Sequence, residues 1–145
     1  MFELVKFSKE HLRPMMNQKK NGFIARWLEH GHADIMEREA ASFTGVIGDK
    51  VAVCGGITFF WPGRGYLWAI FSEDFRENFV PVFRGVKKAL DALEYTRLEM
   101  AIALECDDYS IAVRRAKLLG FKLECHRAEK YLPSGQDCSI YARIK

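Results

Sequence analysis

The stretch RRAKLLGFKLE (114–124) predicts the end of a helix, a glycine stop and the first residues of a strand. Asp107 or Asp108 can cap the start of this helix, because short carboxylate side chains accept backbone N–H groups there. Gly120 suits the position just after the helix, where the backbone often turns left-handed. We therefore predict a helix that runs through Leu119 and is followed directly by a strand.

The first third of the chain predicts one strand and several short helices. The segment FELVKF (2–7) alternates apolar and polar residues, which indicates a half-buried strand. Ser8 can cap the helix that follows, and Pro14 limits or kinks that helix. Two further helices are predicted over FIARWLEH (23–30), after a turn at Asn-Gly, and over ADIMEREAASF (33–43).

The middle of the chain predicts three consecutive strands. TGVIGDKVAVCGGITFFW (44–61) contains two β-rich runs separated by Gly-Asp-Lys (48–50), which is a hairpin signal. WPGRG (61–65) is a second turn, and YLWAIF (66–71) is the third strand. Tight turns between consecutive strands favour an antiparallel meander.

The second half predicts a parallel crossover and a closing hairpin. Helical spacing of apolar residues indicates a helix over about 81–94, and RLEMAIAL (97–104) is apolar on both faces, as in a central strand. Strand 66–71, this helix and strand 97–104 should form one parallel unit. FKLECHRAEKY (121–131) and CSIYARI (138–144) form the hairpin. We expect the last strand to offer a free edge for a homodimer.

Composition places the chain among folded, soluble proteins. Of its 145 residues, 49% are hydrophobic and 28% are charged, which favours a single domain over residues 1–145. A net charge of +3 is too small to predict nucleic-acid binding without a concentrated basic patch. No apolar run approaches the ~18 residues of a membrane span, and no signal peptide is visible. We expect a cytoplasmic protein without a membrane partner.

Four cysteines are spread along the chain without a CxxC pair. We interpret Cys54, Cys106, Cys125 and Cys138 as reduced, partly buried thiols and not as a disulfide framework. Zinc could use Cys125, His126 and Cys138, but their spacing does not indicate a metal site. We predict no bound metal.

The order of elements, with Ala112 and Leu-Gly-Phe (119–121), resembles the GCN5-related N-acetyltransferase (GNAT) superfamily. A closer likeness is to GNAT-like proteins of phages and prophages, including the internal virion protein A group of short-tailed phages. The stretches that carry it are WPGRGYLWAIFS, RGVKKALDAL, RLEMAIAL, RRAKLLGFKLE and YLPSGQDCSIYAR. The resemblance implies a single α+β domain, with a mixed, mostly antiparallel sheet, a central parallel pair of strands and flanking helices.

The resemblance also implies acetyl-CoA, held between two parallel strands that splay at their ends. Its pyrophosphate should meet amides at the next helix N-terminus, where glycines allow close approach. The family pattern there is roughly Arg-x-x-Gly-x-Gly/Ala, whereas SEDFRENF (72–79) has no glycine. An alternative interpretation is that Asp74 and Glu77 only cap the helix. The candidate cofactor-binding residues are Phe71, Ser72, Arg76 and Asn78.

Catalytic candidates follow from the family's tyrosine and asparagine, four and eleven residues before the terminal glycine. These places hold Ala116 and Tyr109, so the usual acid is missing and Tyr109 is the tyrosine left on this helix. Glu105 and Asp107 follow the predicted central strand, at the end where parallel-sheet sites usually lie. They are the candidate bases, although each is equally a candidate cap or solvated carboxylate.

Two functions of different class stay open. One is an N-acetyltransferase that uses acetyl-CoA and an unknown amine acceptor, through a divergent cofactor loop. The other is a noncatalytic phage protein that acts in the virion or against a host protein. The corresponding locations are the bacterial host cytoplasm or the virion. Acceptor contacts are expected in the N-terminal helices and in the loop around residues 61–65, where Trp61 could face a channel or a partner.

Overall fold

A computed structural model describes residues 1–16, 18, 28–29, 31–38, 41–73, 75, 79–132 and 134–145, without the His32 side chain. The strands are β1 (Phe2–Lys6), β2 (Phe43–Ile47), β3 (Lys50–Trp61), β4 (Arg64–Phe71), β5 (Arg97–Ala103), β6 (Lys122–Ala128) and β7 (Cys138–Ile144). The helices are a 3₁₀ helix (Lys9–Met15), α1 (His32–Arg38), α2 (Phe79–Ala92) and α3 (Tyr109–Leu118). The helix predicted over 23–30 and the turn before it lie almost entirely outside the described residues.

The seven strands form one mixed sheet in the order β1-β2-β3-β4-β5-β7-β6. β4 and β5 are parallel, whereas β1–β2, β2–β3, β5–β7 and β6–β7 are antiparallel. The predicted α+β class, with one parallel pair in a mostly antiparallel sheet, is confirmed. No helix among the described residues is long and apolar enough to span a membrane.

The prediction of a free edge along CSIYARI (138–144) is wrong. β7 pairs with β5 on one side and with β6 on the other, so β6 is the edge strand. Burial gives the physical reason: β7 buries Cys138, Ser139, Tyr141 and Ala142, whereas most of β6 is exposed. An interior position removes more of the β7 side chains from water, and it leaves β7 no edge for a dimer.

The chain divides into two compact units. The first contains Met1–Thr58 and Trp68–Ala92, and the second contains Phe59–Leu67 and Leu93–Lys145. In the first unit α2 packs on β1 so closely that a Cβ on Gly85 would overlap the Phe2 ring. In the second unit α3 contacts β5.

In the first unit, one predicted helix cap is confirmed and one predicted helix range is wrong. Ser8 caps the 3₁₀ helix: its side chain accepts from the Glu10 amide, and His11 Nδ1 accepts the Ser8 amide at 3.1 Å. The described part of the helix predicted over 33–43 is His32–Arg38, and residues 41–43 are not helical. The predicted end was wrong because Phe43 already pairs with Gly55 as the first residue of β2.

The stretch 114–124 folds as predicted. Asp108 is the N-cap residue of α3, although its side chain makes no capping hydrogen bond. Leu119 is the C-cap residue, and Gly120 follows with a φ of +91°. The Phe121 amide donates to the Ala116 carbonyl at 3.0 Å, so the turn joins helix to strand through backbone bonds.

Candidate functional site

The two halves of β4 differ in their pairing with β5. Its parallel register with β5 joins Arg64 to Arg97, Gly65 to Leu98 and Tyr66 to Glu99, that is, the first three residues of each strand. Farther along β4, Ala69 is exposed although it lies within an interior strand. The register with β5 leaves the later half of β4 unpaired, and we call this unpaired edge of β4 the groove. Backbone groups there need hydrogen-bond partners from solvent or from a ligand.

Phe71 ends β4 inside a cluster of aromatic rings. Its ring centroid lies 4.7 Å from that of Phe75 and 6.3 Å from that of Phe83, with the Phe83 ring nearly parallel. Phe71 is half-buried, and Ser72 after it is buried. Both predicted cofactor residues are therefore fixed by packing at the end of β4.

The amides after β4 are engaged within the protein. The Ser72 amide donates to the Ala52 carbonyl at 2.9 Å, and the Phe75 amide donates to the Ser72 carbonyl at 3.2 Å. The Glu73 amide donates to Oε1 of Gln18 at 2.8 Å. An anion would need donors elsewhere in this segment. Arg76 and Asn78, the other predicted cofactor residues, lie outside the described residues.

Two of the three predicted catalytic residues, Glu105 and Asp107, lie on the turns that follow β5, and Tyr109 is the first residue of α3. The Cys106 amide donates to the Ala103 carbonyl at 3.2 Å, and the Tyr109 amide donates to the Cys106 carbonyl at 3.0 Å. Glu105 and Asp107 are exposed on these turns. To act as the base, one of these carboxylates must come within hydrogen-bond distance of the acceptor amine.

Tyr109 is half-buried at the start of α3, and its hydroxyl donates to Ser139 Oγ at 3.0 Å. Ser139 is fully buried on β7. The neighbouring Tyr141 is buried as well, and burial, followed by the charge and hydrogen bond of Tyr109, raises the pKa of its hydroxyl. These three hydroxyl groups form a polar cluster under α3, while Ala116, at the place of the family's tyrosine, is buried without a proton to give.

Sequence reasoning missed two residues on the paired part of β4 and β5. Tyr66 is half-buried, and burial raises the pKa of its hydroxyl. Glu99, its register partner, is buried with its side chain 11% exposed. The available signal was the glutamate itself, since a carboxylate inside a central strand requires a cationic partner.

The Glu99 carboxylate accepts hydrogen bonds from two arginines. Arg64 Nε donates to Oε2 at 2.7 Å and its Nη2 donates to Oε1 at 3.2 Å, while Arg97 Nη2 donates to Oε1 at 3.1 Å. Arg97 also donates to Glu124 on β6. The hydrogen bond from Arg64, followed by that from Arg97, lowers the pKa of Glu99 against the effect of its burial.

The cysteines and aromatic residues separate into buried and exposed groups. All four cysteines are free thiols, with Cys54 and Cys138 buried and Cys106 exposed. Among the described side chains, no group of three histidine, cysteine or acidic residues could hold a metal ion. Trp68 packs edge-on against Phe7 in the core, whereas Trp61 is exposed.

Solved acetyltransferases share this architecture. A GNAT-family acetyltransferase from Bacillus anthracis superposes with a TM-score of 0.68 at 10% identity, over 99% of this chain and 94% of the other. The chain has the fold of the GNAT acetyltransferases. The Salmonella typhimurium acetyltransferase that modifies the N-terminal serine of ribosomal protein L7/L12 gives a TM-score of 0.68 at 15% identity, over 99% and 95% of the two chains.

A third solved structure with this GNAT fold was determined with a cofactor. It is the microcin C7 self-immunity acetyltransferase MccE in complex with acetyl-CoA and AMP, with a TM-score of 0.66 at 19% identity over 99% of this chain and 92% of the other. No protein-family model matches the sequence, and no curated protein matches it significantly. The likeness is thus one of fold, at low sequence identity.

Proposed function

We propose that the chain is an acyl-CoA-dependent N-acetyltransferase with a divergent cofactor loop and reduced activity. The observation that carries this proposal is β4, an interior strand whose parallel register covers only its first three residues and whose later residue Ala69 is exposed. A pantetheine chain is narrow and contains two amides, so it can pair with strand backbone in such a groove.

The end of β4 determines how the anionic part of the cofactor would bind. Phe71 and Ser72 border the groove, and Arg76 and Asn78 follow in sequence. Since the described amides of Ser72, Glu73 and Phe75 already donate within the protein, we assign the pyrophosphate contact to the Arg76 guanidinium. Arginine suits this role because its planar donors match phosphate oxygens.

Acetyl transfer requires a base for the attacking amine and an acid for the departing thiolate. When bound, acetyl-CoA supplies the thioester carbonyl that the amine attacks. Glu105 or Asp107 would take the amine proton, since both carboxylates are exposed on the turns after β5. Tyr109 would return a proton to the sulfur, in place of the family's tyrosine.

The proposal includes a cellular location, and it has one alternative function. The likeness to phage GNAT-like proteins supports a phage or prophage protein that acts in the bacterial host cytoplasm, with packaging in the virion as the other location. The alternative is a noncatalytic structural or host-interaction protein, in which the buried Ala116 at the place of the usual acid would have no catalytic consequence. These two functions differ in whether acetyl-CoA binds.

Calorimetric titration of acetyl-CoA and CoA into the full chain tests the proposal. We expect saturable binding that is at least about tenfold weaker in Ala69→Trp, because the indole would fill the groove. Leu123→Trp places the same side chain at an exposed position on the edge strand β6 and should bind normally. No binding at millimolar ligand, or unchanged binding by Ala69→Trp, would refute the proposal.

A second pair of variants tests the anion contact. Arg76→Glu reverses the charge expected at the pyrophosphate and should weaken acetyl-CoA binding. Lys88→Glu makes the same change of charge at an exposed position of α2 and should have little effect at physiological salt, because exposed charges are screened. Equal effects of the two variants would indicate net charge and not a specific contact.

A further inference from the structure

The solvent side of α3 carries large apolar side chains. Ile111 and Leu118 are 44% and 50% exposed, and their spacing of seven residues places them on one side of the helix, two turns apart. The opposite side of α3 is the packed one, because Ala116 and the C-cap residue Leu119 are buried. A single exposed apolar residue is ordinary, as at Val80 on α2. A repeat at helical spacing instead forms a surface that a partner can cover.

The edge strand β6 adds a third exposed apolar side chain on the same side of the sheet. Leu123 is 48% exposed and lies opposite Tyr141 in the register of β6 and β7. Register partners point to the same face of a sheet, and Tyr141 faces α3 because its hydroxyl interacts with that of Tyr109. β5 and β6 run in the same direction, since both are antiparallel to β7, so α3 runs back between them and ends near the start of β6. We call Ile111, Arg114, Lys117, Leu118 and Leu123 the α3 face.

The α3 face carries positive charge that no carboxylate balances. The helix YSIAVRRAKL (109–118) contains three basic residues and no acidic one. Arg114 and Lys117 are exposed, and neither forms an ion pair within the part of the chain that the structure describes. Basic residues near a helix C-terminus stabilise the helix through its dipole, which accounts for these charges but not for the exposure of Ile111 and Leu118. Exposed apolar side chains beside unpaired cations suit a partner that is both apolar and acidic.

The spacing along α3 indicates a helix as the partner. Ile111 and Leu118 can pack between apolar residues seven apart in a second helix, whose carboxylates would meet Arg114 and Lys117. A second copy of this chain could place Ile111 opposite Leu118 by antiparallel two-fold symmetry. The same pairing would place Arg114 of one copy opposite Arg115 of the other, and like charges repel. The α3 face therefore suits a different protein better than a second copy.

We propose that the α3 face binds an acidic amphipathic helix of another protein. None of its five residues is assigned to acetyl-CoA or to acetyl transfer, so this docking surface goes beyond the proposed enzyme. A membrane surface is a poorer match, because a helix that lies on lipid needs a broad apolar face without charges in its middle. Nucleic acid is a poorer match too, since it requires a longer run of cations or stacking aromatic rings, and the α3 face contains no aromatic ring.

Labelled synthetic helices measure this binding with the full chain. One pool of peptides carries Leu, Ile or Met at two positions seven residues apart, glutamate at neighbouring positions between them, and Ala or Gln elsewhere. Two matched pools replace the glutamates by lysine or the apolar residues by serine. Fluorescence anisotropy should show saturable binding of the acidic apolar pool, at least about tenfold tighter than that of either matched pool. Salt raised from about 50 to about 300 mM should weaken it several-fold, because the charge pairs are exposed.

Two pairs of variants assign this binding to the α3 face. Arg114→Glu and Leu118→Ser should each weaken binding of the acidic apolar pool about tenfold. Arg84→Glu and Val80→Ser make similar changes at exposed positions of α2 and should bind like the unaltered chain. Thermal melts identify any variant that fails to fold, and Lys117→Glu then takes the place of Arg114→Glu.

Several results would overturn the inference. One is the absence of saturable binding by the acidic apolar pool, and another is equal binding by the α3 and α2 variants. Vesicles of phosphatidylcholine with phosphatidylserine and a short DNA duplex serve as competing probes, and tighter binding of either would assign the α3 face to lipid or to nucleic acid. Sedimentation that shows a dimer of the unaltered chain, lost in Leu118→Ser, would assign the α3 face to a second copy instead.

Discussion

Arg64 at the start of β4 donates from Nε to Oε2 of Glu99 on β5 at 2.7 Å. These two strands form the parallel pair, and Glu99 lies opposite Tyr66 in its register. Arg97 binds the other oxygen at 3.1 Å. Since the Glu99 side chain is only 11% exposed, the ion pairs replace the water that this carboxylate loses on folding. These ion pairs stabilise the region where the first residues of β4 and β5 pair.

Glu99→Gln should lower the free energy of unfolding by about 1–2 kcal/mol at neutral pH, because three charge-assisted hydrogen bonds are weakened and both arginines remain partly screened by water. The folded-state pKa of Glu99 lies below its ordinary value of 4.5. Its contribution is therefore complete above about pH 4.5 and is lost as the pH falls through the lower folded-state pKa. Urea denaturation over a range of pH measures this difference.

Asp91→Asn provides the control for this prediction. Lys87 and Asp91 form an exposed ion pair one turn apart on α2, with side chains about half exposed. We expect its loss to change stability little at any pH, since exposed pairs contribute little. A difference between Glu99→Gln and the unaltered chain that persists unchanged under strongly acidic conditions would contradict the assignment to the ionised carboxylate.

Gly120→Ala should destabilise the chain more than Gly135→Ala. Both glycines have positive φ, +91° and +81°, so each substitution costs about 1–2 kcal/mol of backbone strain. A Cβ at residue 120 would also lie 2.9 Å from Arg143 Nε, whereas residue 135 has open space. Displacing Arg143 would weaken its 2.7 Å bond to the Tyr95 hydroxyl. Equal unfolding midpoints for the two variants would show that this contact carries no energy.

Features that depend on neighbouring residues were predictable from the sequence. The helix end at Leu119 and the hairpin around Gly48 follow from local backbone preferences, because glycine alone adopts positive φ without strain. That Phe43 belongs to a strand was not predictable in this way. It pairs with Gly55, twelve residues later, and a long-range pairing leaves no signal in a short window.

In the candidate site, too, features set by neighbouring residues were predictable from the sequence and features set by long-range contacts were not. Tyr109 could be named because its position on α3 follows from the spacing to Gly120. The partner of its hydroxyl, Ser139, could not, because β7 was expected at an edge and lies beside β5. The resemblance implied an opening between two parallel strands, but the residue pattern did not show that the register stops at Tyr66 or that Ala69 is exposed.

Cys54 and Cys106 should differ strongly in reactivity. Cys54 is fully buried, and burial raises the pKa of its thiol to about 12. Only roughly one molecule in ten thousand then carries the reactive thiolate at about pH 8. Iodoacetamide should modify exposed Cys106 long before Cys54, as peptide mass spectrometry would measure. All four cysteines should react in guanidinium chloride, and comparable native-state rates would contradict the burial of Cys54.

Tyr109→Phe and Ser139→Ala separate a catalytic hydroxyl from a structural one. Each substitution removes the 3.0 Å bond between Tyr109 and Ser139 and should lower the free energy of unfolding by about 1 kcal/mol. Only Tyr109→Phe removes the phenolic proton. If Tyr109 protonates the departing thiolate, kcat of acetyl transfer falls about 100-fold in that variant, and Ser139→Ala keeps kcat near that of the unaltered chain. We expect this difference, with KM for acetyl-CoA unchanged in both. Equal kcat values for the two variants would assign Tyr109 to the support of α3 on β7 and leave the acid to be found on another element.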